Sequence, residues 1–311
     1  MPRDTSRVRV NGRTLTVSNL EKVLYPASGT TKGEVLAYYL HIAPVLLPHL
    51  HDRPVTLKRY PDGVEASSFF EKACAGFRPE WVETVEVPSE HKGVIRFCMI
   101  NNTETLLWVA NLAALELHPQ LALGPSIDTP TALVFDLDPG APASLLDCCR
   151  VALWLRDLLL DFGLRCYPKT SGGKGLHLYV PLNTPVSYQE TKGFAHAVAR
   201  LLERQDPEQA TSNMSKEQRA GKVFIDWSQN DHVKTTVTVY SLRALAHPTV
   251  STPLSWQEVQ SASEQQDASG LVFEYPQVLA RVEDLGDLFA EVLTRKQKLP
   301  PDEQKIQRLA A

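Results

Sequence analysis

The sequence predicts an α+β protein with at least one antiparallel sheet. Three observations carry this. Short alternating or apolar runs that read as strands recur along the chain. Longer periodic runs that read as helices fall between them without strict alternation, and tight Gly- or Pro-bearing turns join several neighbouring strands.

In chain order, residues 7–17 (RVRVNGRTLTV) alternate around Asn11-Gly12, the signature of a tight hairpin. Thr31 opens an apolar-periodic helix through Leu50 that Pro44 and Pro48 are expected to kink or interrupt. Residues 54–60 and 94–100 read as strands. Asn101, with Glu104 three residues on, resembles a capping box opening a helix to about Leu117. Beyond Gly124-Pro125, residues 132–138 (ALVFDLD) form a strand closed by Pro139-Gly140, and an apolar helix over 143–162 is stopped by Gly163. Strands over 164–169 and 176–180 flank a Gly-rich turn; 187–204 is helical; polar residues 205–221 read as a mobile surface loop. Strands at 222–227 and 234–240 precede a helix-rich remainder. A plausible division puts an N-terminal module at 1–125 and a catalytic core at 126–311.

The composition is that of an ordinary globular protein: 311 residues, 43% apolar and 22% charged. No apolar run approaches the roughly 20 residues that span a bilayer, and the polar start Met1-Pro2-Arg3-Asp4 lacks a signal peptide's apolar core. A cytosolic protein is expected. Cys74, Cys98, Cys148, Cys149 and Cys166 form no C-x-x-C pair, so reduced packing residues are expected rather than a disulfide framework or structural zinc. The net charge of −4 does not favour nucleic-acid binding, but its distribution is uneven. Residues 1–60 hold Arg3, Arg7, Arg9, Arg13, Lys22, Lys32, Arg53, Lys58 and Arg59 against Asp4, Glu21, Glu34 and Asp52. Such a module can bind phosphates locally.

Asp136 and Asp138 are the sharpest chemical feature. On a strand they point to one face, where two carboxylates repel unless a cation neutralises them. A hard ion such as Mg²⁺ or Mn²⁺ is the natural partner, although Asp138-Pro139-Gly140 also reads as a simple turn. Asp226 ends a second apolar strand in VFIDWSQN and would complete a two-metal set. Between them lies Ser171-Gly172-Gly173-Lys174-Gly175-Leu176-His177, whose glycines, ammonium and imidazole can hold a triphosphate. It is not a Walker A loop, because Gly175 follows Lys174 where Ser or Thr is required. Arg243 (VYSLRAL) and His118 stand out less on local grounds.

The order and spacing of VFDLDPG, TSGGKGLHLY, GKVFIDWSQN and YSLR, with NLEKVLYP, TTK and FFEK upstream, resemble the polymerase domain of bacterial ligase D. That domain belongs to the archaeo-eukaryotic primase superfamily, and the resemblance runs to about residue 256. It implies a primase-type core, an RRM-like antiparallel sheet with flanking helices, within one integrated polymerase domain. It also implies that Asp136, Asp138 and Asp226 hold two divalent cations, Mn²⁺ or Mg²⁺. Ser171, Lys174, His177, Arg243 and His118 would contact the incoming NTP or dNTP, with Gln229 standing where some branches carry Arg. Lys22 and Lys32 would hold the 5′-phosphate of a DNA end or gap, and Arg59, Phe69 and Phe70 would lie against the template. The segment after His118 (PQLALGPS) lacks an aromatic residue common in the family.

The implied function is template-dependent nucleotide addition, favouring ribonucleotides and manganese, at ends and short gaps in double-strand-break repair by non-homologous end joining. The protein would be a cytoplasmic, nucleoid-associated monomer without a membrane partner, acting with Ku and an ATP-dependent DNA ligase. No adenylating-ligase signature is present, since Tyr60-Pro61-Asp62-Gly63 lacks the nucleophilic lysine. Two alternatives stay open: a two-metal nuclease, which would not need the SGGKGLH loop, and a non-catalytic DNA-end-binding module that positions a ligase.

Overall fold

The structure, a computed structural model, describes residues 4–89 and 93–300. The hairpin forms as expected. β1 (Thr5–Val10) pairs antiparallel with β2 (Arg13–Ser18). Asn11 (φ 47°) and Gly12 (φ 83°) supply the two left-handed positions that a two-residue turn demands. β3 (Val23–Tyr25) pairs with β4 (Thr30–Thr31), which leads into α1 (Lys32–Leu50). Thr31 caps α1 in a reciprocal box with Glu34. Pro44 and Pro48 do not interrupt the helix. Each costs about 3 kcal/mol in a helix interior. Tyr38, Tyr39, Ile42, Leu46 and Leu50 are essentially fully buried along one side. At about 1.5–3 kcal/mol per aliphatic side chain, that burial outweighs the lost backbone bonds.

β5 (Val55–Arg59) is the hub of a sheet ordered β6 (Phe69–Glu71), β5, β8 (Gly93–Cys98), β7 (Thr84–Ser89), with β9 (Ala114–Pro119) also on β5. Between β8 and β9 lies α2 (Thr103–Asn111). Its cap is Asn102, whose side chain accepts from Thr105 N–H, not Asn101, which instead accepts from Asp52 N–H. The helix expected to reach Leu117 ends at Asn111. Ala113 takes φ 57° and reverses the chain, and Ala114–Pro119 becomes a strand pairing Lys58 with Glu116 and Thr56 with His118. The expectation that all cysteines are reduced is also corrected. Cys74 and Cys98 form a disulfide with Cα atoms 4.8 Å apart, while Cys148, Cys149 and Cys166 are buried and unbridged.

The second sheet is ordered β11 (Tyr167–Thr170), β12 (Leu176–Pro181), β10 (Ala132–Pro139), β14 (Val223–Asp226), β13 (Ala210–Thr211). Every pairing is antiparallel except β13 with β14. The helices α3 (Leu145–Asp161) and α4 (Tyr188–Gln205) pack against β10. Residues 205–221 are not simply a surface loop, because they contain β13, with Ala210 and Thr211 buried. Residues 234–240, expected as a strand, join no ladder. Thr236, Val237, Thr238 and Val239 are all at most 5% exposed, so their alternation does not mark one buried face. Their backbone donates to β9 from Thr236 N and Thr238 N.

Among the described residues three more α-helices follow: α5 (Trp256–Gln265), α6 (Tyr275–Leu285) and α7 (Glu291–Thr294). The chain divides into two compact units. One holds the residues up to Pro125, Thr235–Ser251 and Phe273–Asp287; the other holds Ser126–Lys234, Thr252–Val272 and the chain from Leu288 on. Among the described residues, no helix is long and apolar enough to cross a membrane.

Candidate active site

Asp136, Asp138, Asp226, Ser171, Lys174, His177 and Gln229 all lie in the second unit. The ladder pairs Lys169 with His177, His177 with Asp136, and Asp136 with Asp226. Residues directly opposite in antiparallel register share a face, so these four form one row across β11, β12, β10 and β14. Asp138, two residues past Asp136, joins the same face. Lys169 is completely buried and His177 is 4% exposed. His177 Nε2 stands 3.2 Å from Asp136 Oδ1. Asp226 Oδ1 accepts from Ser228 N–H (2.9 Å) and Oγ (2.6 Å), and its Oδ2 accepts from Gln229 Nε2 (3.1 Å). Gln229 therefore braces a carboxylate. Below the face, burial first of all, with the charges of Asp138 and Asp136 adding, pushes the Cys148 thiol well up.

The glycine-rich turn is built on Ser171. Its Oγ accepts from Gly173 N–H and Gly175 N–H (both 3.2 Å), and its own N–H donates to Gly175 O. Lys174 is exposed at the tip. Gly172 takes φ 73°. Gly175 is required by contact: a Cβ there would lie 2.1 Å from the Leu137 carbonyl oxygen, between the two aspartates of β10.

The donor set is that of a hard divalent cation: three carboxylates, close in register on one face. Among the described residues, no three His, Cys, Asp or Glu side chains converge into a ready-made cage. Asp226 is held by Ser228 and Gln229 and would have to turn from them to join Asp136 and Asp138 at such an ion.

Lys22, Lys32, Arg59, Phe69, Phe70, His118 and Arg243 lie in the first unit. Lys22 pairs with the exposed Asp62 at 2.7 Å, a contact of the kind that contributes only about 0–1 kcal/mol and yields readily to a competing anion. Lys32 is 5% exposed, and its Nζ donates to Ser18 O at 2.6 Å. Arg59 donates to Leu112 O and to Glu71 and lies 5.2 Å over the Phe69 ring; Lys58 Nζ lies 5.3 Å over Phe70. Both phenylalanines are exposed, 46% and 60%, although strand neighbours normally alternate. Their strand β6 is a three-residue edge.

His118 is on a strand rather than at a helix end, and its Nε2 stands 2.9 Å from Glu116 Oε2. Glu116 was not legible as a functional residue. Burial alone would raise its carboxyl, but the His118 hydrogen bond and the charges of Arg243, His118 and Lys58 outweigh it and hold it down at about 2. Burial pushes the His118 imidazole down from its ordinary value, against the opposing pull of Glu116. Reading residues 102–117 as helix concealed this pair, because residues two apart do not face each other on a helix but do on a strand. Lys169, completely buried on β11, did not stand out either, since a lysine near a strand end beside Arg165 reads as a solvated charge.

Residues 31–289 match the family model described as LigD, primase-polymerase domain. The chain is 45% identical over 276 residues to the multifunctional non-homologous end joining protein LigD of Mycolicibacterium smegmatis, covering 88% of this chain and 35% of that protein. It is 34% identical over 249 residues to the bifunctional non-homologous end joining protein LigD of Bacillus subtilis, covering 80% and 40%. It thus spans little more than a third of the curated relatives it matches. Among solved structures, it is similar to the polymerase domain from Mycobacterium tuberculosis ligase D in complex with DNA. That match has a TM-score of 0.84 and 41% identity, and covers 91% of this chain and 99% of the other.

Proposed function

Because this chain belongs to the LigD primase-polymerase domain family, we propose that it is a nucleotidyl transferase that extends primers by two-metal chemistry at DNA ends and short gaps, with a preference for ribonucleotides. The observation that carries the reading is the row His177, Asp136, Asp226 with Asp138 beside it and the Ser171–Gly175 turn at its end. A primer 3′-oxygen forms a bond to the α-phosphorus of the nucleoside triphosphate, the α–β bridging bond breaks, and pyrophosphate leaves.

Asp136, Asp138 and Asp226 would hold the cations, Mn²⁺ or Mg²⁺. When bound, these supply charge neutralisation and lower the pKa of the attacking hydroxyl. Lys174 at the exposed tip of the glycine turn and the Ser171 hydroxyl take the phosphates, and His177 donates beside them. Arg243 and His118 serve the incoming nucleotide, with Arg243 matched to phosphate charge. Lys22 and Lys32 favour a 5′-phosphorylated end, while Phe69 and Phe70 offer rings on which any base stacks. A DNA ligase and a Ku-type end-binding protein are the partners this activity calls for, in trans or in a longer chain.

The test is primer extension on gapped DNA, with and without the downstream 5′-phosphate, using Mn²⁺ and either ribo- or deoxyribonucleotides. Extension stimulated by the phosphate, lost in Asp136→Ala with DNA binding retained, is expected. Lys22→Ala should weaken the preference for the phosphate. Shortening of the primer would favour a nuclease; clean binding without extension would favour an end-binding module.

A further inference from the structure

Glu116 stands on β9 at 3% exposure, an expensive place for a carboxylate unless it is amply paired. Its Oε2 accepts from His118 Nε2 at 2.9 Å. Its Oε1 accepts from Ala244 N–H (3.1 Å) and the Tyr60 hydroxyl (3.3 Å), with Arg243 Nε at 3.5 Å and Lys58 Nζ at 3.8 Å. One carboxylate thus gathers side chains from β5, β9 and the 241–244 segment. Apart from the Ala244 bond, which a glutamine carbonyl oxygen at position 116 can also accept, that segment's backbone is secured without it. Leu117 N–H donates to Ser241 Oγ (3.0 Å), Leu242 N–H to the Tyr39 hydroxyl (3.3 Å), and the Tyr25 hydroxyl to Arg243 O (3.0 Å). Removing the charge therefore acts on the side chains around it before it acts on the chain trace.

We propose that Glu116 is a positioning residue that sets His118, Arg243 and Lys58 into one prearranged cluster for the incoming nucleotide. This rests on the reading that His118 and Arg243 serve that nucleotide. An ionised carboxylate only accepts hydrogen bonds, so Nε2 carries the His118 proton and Nδ1 is the ring atom left to meet a ligand. Without the carboxylate, the Lys58 and Arg243 charges lose their common counter-charge and His118 loses its orienting acceptor. Preset donors are what keep the ordering cost out of substrate binding.

The decisive variant is Glu116→Gln, which keeps shape and removes charge. In primer extension at varied nucleotide concentration, its KM for the nucleotide should rise about tenfold or more, with kcat within about threefold. Its affinity for 5′-phosphorylated gapped DNA and its circular dichroism should match the wild type. In a His118→Ala background the same change should cost clearly less than in the wild type, the non-additivity of groups acting together. A wild-type KM in Glu116→Gln, additive losses, or DNA binding lost in step with activity would each overturn the proposal.

Should that variant fail to fold, ¹⁵N NMR of the wild-type imidazole decides without it: His118 must show the Nε2–H tautomer, and Nδ1–H sinks the idea. The NMR result does not depend on turnover. Wild-type protein that extends no primer would instead refute the polymerase reading, whatever the tautomer.

Discussion

Gly175 shows how narrowly a single residue is constrained by its surroundings. Its α-carbon lies so close to Leu137 that a methyl group would sit 2.1 Å from the carbonyl oxygen of the residue separating Asp136 from Asp138. Neither backbone can give way without shifting the row of His177, Asp136 and Asp226. Gly175→Ala should destabilise the protein by about 2–4 kcal/mol, the scale of overpacking combined with displaced backbone. Urea unfolding checks this, and an unchanged midpoint would refute the close approach. By contrast, a methyl group on Gly173 would meet only the Ser171 hydroxyl, at 3.5 Å, so alanine should be better tolerated there. The three aspartates, the glycine turn and His177 stand out as candidates from residue types, spacing and order in the sequence. Glu116 and Lys169 do not, since each takes its meaning from neighbours that strand formation and the tertiary fold bring beside it.

At the scale of elements, local signals and tertiary burial compete. Helix α1 starts where its box says it should, with Thr31 accepting from Glu34 N–H and Glu34 accepting from Thr31 N–H. Thr31→Ala should cost about 1 kcal/mol, readable as a shift in the urea midpoint with an unchanged slope. No shift would mean that the helix end is held by its burial alone. The same helix ignores two prolines because Tyr38, Tyr39, Ile42, Leu46 and Leu50 are almost wholly enclosed along one side. The segment after α2 went the other way. A periodic apolar stretch looked helical through Leu117, but the left-handed Ala113 and the open edge of β5 made Ala114–Pro119 a strand. That switch of period brought Glu116 and His118 to one face.

At the scale of the whole molecule, the chain leaves and re-enters each of its two compact units, so neither is a continuous stretch of sequence. Arg243 belongs with the N-terminal elements because Thr235–Ser251 returns to them, and Asp226 belongs with β10 because β14 pairs there. The Cys74–Cys98 bridge closes a separation of 24 residues across β6 to β8. Such a loop is worth about 3 kcal/mol in the chain-entropy account. Thiol titration of the unfolded chain should count three cysteines before reduction and five after it. Reductant should lower the unfolding midpoint, whereas five thiols without reductant would refute the bridge.

The sequence by itself determined the mixed α and β composition, the hairpin at Asn11-Gly12, the paired aspartates and the glycine turn. Each depends on backbone conformation or side-chain period within a few residues, which local chemistry dictates. The tertiary structure alone decided that Lys169, His177, Asp136 and Asp226 stand in one row, that Glu116 is the common acceptor of its neighbours, and that two cysteines are joined. Those facts depend on strand register and, for most of the pairs, on contacts between residues tens to more than a hundred positions apart. No local pattern encodes them, because they follow from which buried surfaces the whole chain brings together.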